Sequence, residues 1–331
     1  MAETKQRLYL WDNVKALLIV LVVLGHFVTQ FTGQSAFIQS IFLIIYSFHM
    51  PLFIFVSGLF SKSAFKNDRL NINRVIAFVI LFYLLKILIY AVHHPGRFRP
   101  FYESGIPWYM LAMAVWLVIT FFLRKANPKI VIPVSVALAL VIGYFKVIDS
   151  TFCISRIITF YPFFFLGYAL DPAKVAEKTR DKRLRVAAGL LLAIVIVLAF
   201  LLRPALYLTR PILVAYHPYA KLWNPDMGIL IRALWYAVSA IISFAVICVL
   251  PNSNNKLTYI GASTLPIYFF HRPILYLIMD SGLGEKIFAI SPVVWLLCGV
   301  VLALILSVPQ LNIPFNKLMK FEFIKRKNSE T

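Results

Sequence analysis

Long apolar runs separated by short polar connections fill this chain from residue 12 to residue 312. Ten such runs read as helices: 12–32, 37–60, 72–92, 107–124, 129–147, 152–170, 185–203, 228–250, 259–279 and 291–312. Each is close to the ~20 residues that the hydrocarbon core of a bilayer requires. The pattern predicts an all-α, polytopic integral membrane protein built as one transmembrane domain over residues 1–331. The sixth run is the weakest, because Arg156 and Pro162 interrupt it. No repeat of fixed period, heptad pattern or low-complexity tract breaks the series.

The first run organises the rest. Asp12, Asn13 and Lys15 stand near its start and His26 near its far end. Unpaired polar groups cost several kcal/mol in hydrocarbon, so a lipid-facing helix would not carry them. At ~100° and ~1.5 Å per residue, Asp12, Lys15, Ile19, Val22, Val23 and His26 fall on one stripe. Asp12 and His26 then share a face roughly 21 Å apart and cannot touch. They read as two ends of a polar track facing protein. Because its apolar run is long and no small-residue cleavage site follows, this helix is not expected to be a cleaved signal.

Composition sharpens this reading. The chain has 331 residues, 61% hydrophobic and 14% charged, and a net charge of +20. Soluble domains are ~25% charged. A soluble protein so basic would point to nucleic acid. Here the charges lie between apolar runs, which is the positive-inside distribution, and no nucleic-acid partner is expected. With the N-terminus inside, the even connections carry 21 Lys and Arg and the odd ones 9. N-in and C-in is the expected topology. Cys153, Cys248 and Cys298 lie in or beside apolar runs without a C-x-x-C pair. This excludes a disulfide framework and a cysteine zinc site.

Two connections stand out. Residues 61–74 carry Lys62, Lys66, Arg69 and Arg74 against Asp68 alone. They either fix topology or hold the phosphates of an anionic cosubstrate, for which the planar fork of arginine is suited. Residues 204–227 form the longest outer connection, rich in proline and aromatics. The aromatics read first as an interfacial belt and second as platforms for sugar faces.

No hydrolase elbow, nucleotide loop or zinc-protease motif is present. What remains is a set of intramembrane polar groups, each a functional candidate or a packing device. His26, with an ordinary pKa near 6.5, offers a neutral imidazole as general base. A buried histidine taken alone is more often a packing residue. His49 precedes Pro51, whose missing N–H frees a carbonyl upstream and opens the helix to polar contacts. Ser57, Trp108, Tyr109, Arg156 and the pair His271-Arg272 are further candidates, expected to face a cavity or an interface.

The pattern W-D-N-V-K-A with V-V-L-G-H (Trp11 to His26), followed by F-H-M-P-L-F-I-F-V-S-G (Phe48 to Gly58), resembles membrane-bound acyltransferase family 3, and within it the fucose 4-O-acetylase-like subgroup. The likeness is strongest over residues 7–75. It returns in a G-x-S/T-x-x-I-Y-x-x-H-like element from Gly261 to His271. The resemblance implies acyl transfer from cytoplasmic acyl-CoA, with acetyl the expected group, to a hydroxyl of a cell-surface glycan or lipid-linked precursor. It implies a catalytic role for His26, and carries over to Asp12 and His49 as further members of the catalytic set, without a direct Asp12–His26 pair. Arg69 and Arg74 would bind the donor phosphates, with Lys62, Lys66, Arg7 and Lys15 around them. Trp108, Tyr109, Arg156 and His271 would face the acceptor. No metal is implied, and the inner membrane is the expected location. A transporter or flippase for glycan precursors is the rival, although inverted repeats are not evident. A catalytically idle membrane protein is a weaker one, since the polar track would be expensive.

Overall fold

The computed structural model describes residues 8–66, 68–93, 96, 98–102, 105–145, 152–256 and 258–324. Among them are ten helices of 14 or more residues: α1 (Tyr9–Gln30), α2 (Ala36–Leu59), α3 (Ile72–His93), α4 (Trp108–Leu123), α5 (Pro128–Val141), α6 (Ile154–Ala169), α7 (Lys182–Leu201), α8 (Gly228–Val249), α9 (Thr264–Asp280) and α10 (Pro292–Leu306). Every apolar run of the sequence overlaps one of them. Among the described residues, however, five helices are long and apolar enough to cross a bilayer by themselves: α1, α2, α3, α7 and the segment Pro225–Val249 that contains α8. A sixth crossing requires α10 to be taken with Pro309–Lys320, from which it is bent by 67°. The shorter helices α4 and α6 are largely buried among neighbours, where backbone groups are satisfied by protein rather than by spanning length.

Apolar content does not separate the central helices from the peripheral ones. The apolar window of α7 is 11% buried, while those of α1 and α2 are each 61% buried. The polar residues of α1 make the distinction. Asp12 and Asn13 are buried, and α1 packs against α2, α9 and α10. Tightest of all is the packing of α2 on α6. A Cβ on Gly58 would stand 1.9 Å from the Phe164 carbonyl oxygen, and one on Gly167 would stand 2.0 Å from that of Phe55. Each glycine thus lies against the other helix's backbone, the small-residue contact that membrane helices use.

The start of α1 is pinned by its own motif. Trp11 Nε1 donates to the Pro172 carbonyl (3.1 Å). Asn13 Nδ2 donates to the carbonyls of Pro251 (2.8 Å) and Ser253 (3.0 Å), and its Oδ1 accepts from Thr258 Oγ1 (2.8 Å). Gly261 completes the clamp, since a Cβ there would meet the Asp12 carbonyl oxygen at 1.8 Å. The two halves of the resembling pattern are therefore in contact. Residues 61–74 fold back as a short hairpin, Phe65–Lys66 paired with Arg69–Leu70. Asp68 at its turn is held by Arg124 and Lys125, which keep its carboxyl below the usual carboxylate range.

Candidate active site

Two cavities lie along α1 and α2. One, of about 240 Å³, is lined by Lys15, Ser57, Phe60, Arg74, Tyr109 and Tyr268 among others. The other, of about 220 Å³, is lined by His26, His49, Trp108, Arg156, Arg272 and Tyr268 among others. Lys15 and His26 are eleven residues apart on α1, roughly 16 Å of rise. On α2, which runs back along α1, Ser57, Val56 and Phe53 face the first cavity and Met50, His49 and Tyr46 the second. Phe53 and Met50 are one helical turn apart, so the partition is thin. Tyr268 lines both cavities and is fixed by donating to the Ile106 carbonyl. Of the stripe expected on α1, Lys15 lines the first cavity and Val22 and His26 the second, while Asp12, Ile19 and Val23 line neither.

In the Lys15 cavity, the ammonium pairs with Asp12 at 2.8 Å. Arg74 Nη1 donates to Ser63 Oγ at 2.8 Å, while its Nε is buried without a partner. Ser57 Oγ donates to the Phe53 carbonyl (2.8 Å), so Tyr109 Oη must be the donor across its 2.6 Å contact with that serine.

In the second cavity, the His26 ring makes no hydrogen bond among the described residues, and its centroid is 5.3 Å from that of His271. His49 is locked differently. Its Nδ1 lies 2.7 Å from the Ile45 carbonyl, which can only accept, so the proton sits on Nδ1 and Nε2 keeps a lone pair. His271 repeats the device with Ile267 (2.8 Å), and its Nε2 is buried without a partner. The opening of α2 expected at Pro51 is found one turn upstream, where Ser239 Oγ donates to the orphaned Ser47 carbonyl.

The candidate residues are divided between the two cavities, the helix packing and the surface. Asp12 belongs to the Lys15 end, far from His26. Trp108 and Tyr109, adjacent in sequence, line different cavities. Of the hairpin cations, Arg74 reaches a cavity, Arg69 is exposed on the second strand, and Lys62 donates to the Leu170 carbonyl (2.8 Å). Lys66 lies in the first strand, and Arg7 lies outside the described residues. His271 stands behind His26 and is not part of the wall. The connection 204–227 is more than a belt, since Arg210, Val214 and Tyr216 wall the His26 cavity. Arg210, Tyr216 and Tyr46 escaped the sequence reading. A lone arginine between apolar residues at 210 was the available signal.

A bundle of apolar helices around interior cavities lined by polar groups defines a polytopic membrane protein. A family model described as an acyltransferase domain, acyltransferase family 3, matches residues 8–309. The chain belongs to this family and is a membrane acyltransferase. Among curated proteins and among solved structures, nothing matches it.

Proposed function

We propose that the protein is an O-acyltransferase of the cell membrane that carries an acetyl group from cytoplasmic acetyl-CoA to a sugar hydroxyl, as the likeness to the fucose 4-O-acetylase-like subgroup suggests. The observation that carries this reading is the pair of cavities sharing Tyr268, one lined by the cations Lys15 and Arg74 and one by the imidazoles of His26 and His49. Lys15 and Arg74 would hold donor phosphates, and the thioester would reach past Tyr109 and Tyr268 toward His26. The acceptor would enter the second cavity, a glycan or lipid-linked sugar being the expected class.

His26 takes the proton from the acceptor hydroxyl as that oxygen forms its bond to the thioester carbonyl carbon. The tetrahedral intermediate then expels the CoA thiolate, which takes the proton from the imidazolium. His49 Nε2, a fixed acceptor in the same wall, orients the acceptor hydroxyls. No redox partner enters this balance. The test is release of free thiol from acetyl-CoA by protein in nanodiscs, with mass-spectrometric analysis of surface polysaccharide O-acyl groups in cells with and without the gene. Unchanged O-acylation together with no acceptor-dependent thiol release would sink the proposal.

A further inference from the structure

A third cavity, of about 340 Å³, adjoins the Lys15 cavity. Ser63, Asn71 and Asn73 line it together with residues 319–322 near the C-terminus. Met319 lines both spaces. A second link lies beside it: Arg74, in the wall of the Lys15 cavity, donates from Nη1 to Ser63 Oγ, in the wall of the third (2.8 Å). The cavities lined by His26, by Lys15 and by residues 319–322 therefore follow one another, joined at Tyr268 and at Met319.

The wall is assembled from distant parts of the chain and held by specific bonds. Asn71 stands before the first turn of α3, where its Oδ1 accepts from the Arg74 N–H (3.3 Å), which leaves Nδ2 to donate elsewhere. Asn73 clasps the C-terminal segment at two points. Its Nδ2 donates to the Ile324 carbonyl (3.2 Å) and its Oδ1 accepts from the Ile324 N–H (2.9 Å). The short helix Asn312–Lys320 packs on α3 and brings residues 319–322 into place. Phe321 follows that helix with its side chain 58% exposed and its ring centroid 4.8 Å from that of Phe323.

We propose that this third cavity binds the nucleotide end of the acyl donor, the adenosine 3′-phosphate of CoA. The pantetheine arm then occupies the Lys15 cavity, and Arg74 holds the diphosphate between the two. This rests on the acyl-transfer reading above and adds the C-terminal segment to the donor site. The volume lies at the lower end of the ~300–1,000 Å³ typical of small-molecule sites, which suits one part of a long ligand. Its chemistry is mixed, with an ammonium at Lys320, a carboxylate at Glu322, the amide of Asn71 and the ring of Phe321. A free phosphate would meet Glu322 as well as Lys320 and be poorly matched. A nucleotide offers acceptors to Lys320 and Asn71, hydroxyl or amino donors to Glu322, and a flat base to Phe321. The cavity is bordered by exposed residues, as a ligand that enters from water requires.

CoA and 4′-phosphopantetheine, which lacks the nucleotide, are the test pair. Binding of each is measured by calorimetry on the full-length protein in nanodiscs. CoA should bind at least about ten-fold more tightly. Phe321→Ala and Lys320→Gln should each weaken CoA by about five-fold or more and leave 4′-phosphopantetheine unchanged. Phe321→Tyr keeps the ring and should keep the preference, which separates a lost platform from a misfolded tail. Equal binding of the two probes overturns the proposal. So does a CoA preference that survives both Phe321→Ala and Lys320→Gln, an equal loss of both probes in those variants, or loss of the preference in Phe321→Tyr. If the preference behaves as expected but no thiol is released from acetyl-CoA, the acyl-transfer reading fails and the nucleotide site stands. If thiol is released with no preference for CoA over 4′-phosphopantetheine, acyl transfer stands and the nucleotide site fails.

Discussion

The rings of His26 and His271 face each other between α1 and α9, with centroids 5.3 Å apart and planes tilted by 34°. One ring lines the cavity. The other is buried behind it, with Nδ1 tied to the Ile267 carbonyl and Nε2 without a partner. The His26 ring is thus backed by a second, oriented imidazole rather than by the carboxylate of α1.

General-base catalysis contributes ~10²–10⁴-fold to rate. His26→Ala is expected to lose about that factor in acyl transfer while still inserting and binding acyl-CoA. His26→Gln should fail as well, because an amide forms hydrogen bonds but does not accept the proton at neutral pH. Near-normal turnover by His26→Gln would reassign the base to His49.

His271 contacts the His26 ring and does not line the cavity, so under the proposed function it is a positioning residue. His271→Phe should lower kcat by roughly two- to ten-fold through lost positioning of the His26 ring, and leave KM for both substrates unchanged. Steady-state kinetics decide this. A change confined to KM would place His271 in the acceptor site instead.

The hairpin arginines should separate. Arg74 lines the Lys15 cavity and Arg69 is exposed on the strand. Arg74→Ala is expected to raise KM for acyl-CoA by roughly ten- to hundred-fold, the worth of a charge-assisted hydrogen bond. Arg69→Ala should have the smaller effect. Unchanged donor kinetics in both would leave them as topology signals.

Gly58→Ala and Gly167→Ala each drive a methyl group into the facing backbone carbonyl. Overpacking of this kind costs typically ~1–3 kcal/mol. Both variants should lower the thermal midpoint in detergent, read by loss of the monodisperse peak on size exclusion after heating. Wild-type stability in both would show that α2 and α6 separate at little cost.

The charge asymmetry of the connections predicts a cytoplasmic N-terminus and C-terminus. A reporter active only in the cytoplasm should work when inserted near Lys178 and fail near Tyr216. The reverse pattern would put the Lys15 cavity on the wrong side for a cytoplasmic donor.

The sequence by itself determined the helical, membrane-embedded class, because 3.6-residue packing and bilayer thickness act on local composition. It also determined that α1 faces protein, since Asp12, Asn13 and Lys15 have no other affordable environment. His26 was legible for the same reason. Which groups meet across helices was decided only by the tertiary structure. Arg210 and Tyr216 come from a connection more than 180 residues from His26, and His271 from 245 residues away. No local periodicity encodes those encounters. Equally, α7 is among the most apolar helices yet lies outermost, and the weak sixth run lies deep inside against α2. Burial there follows the glycines that let two backbones touch, and the buried polar groups that must find partners, rather than hydropathy.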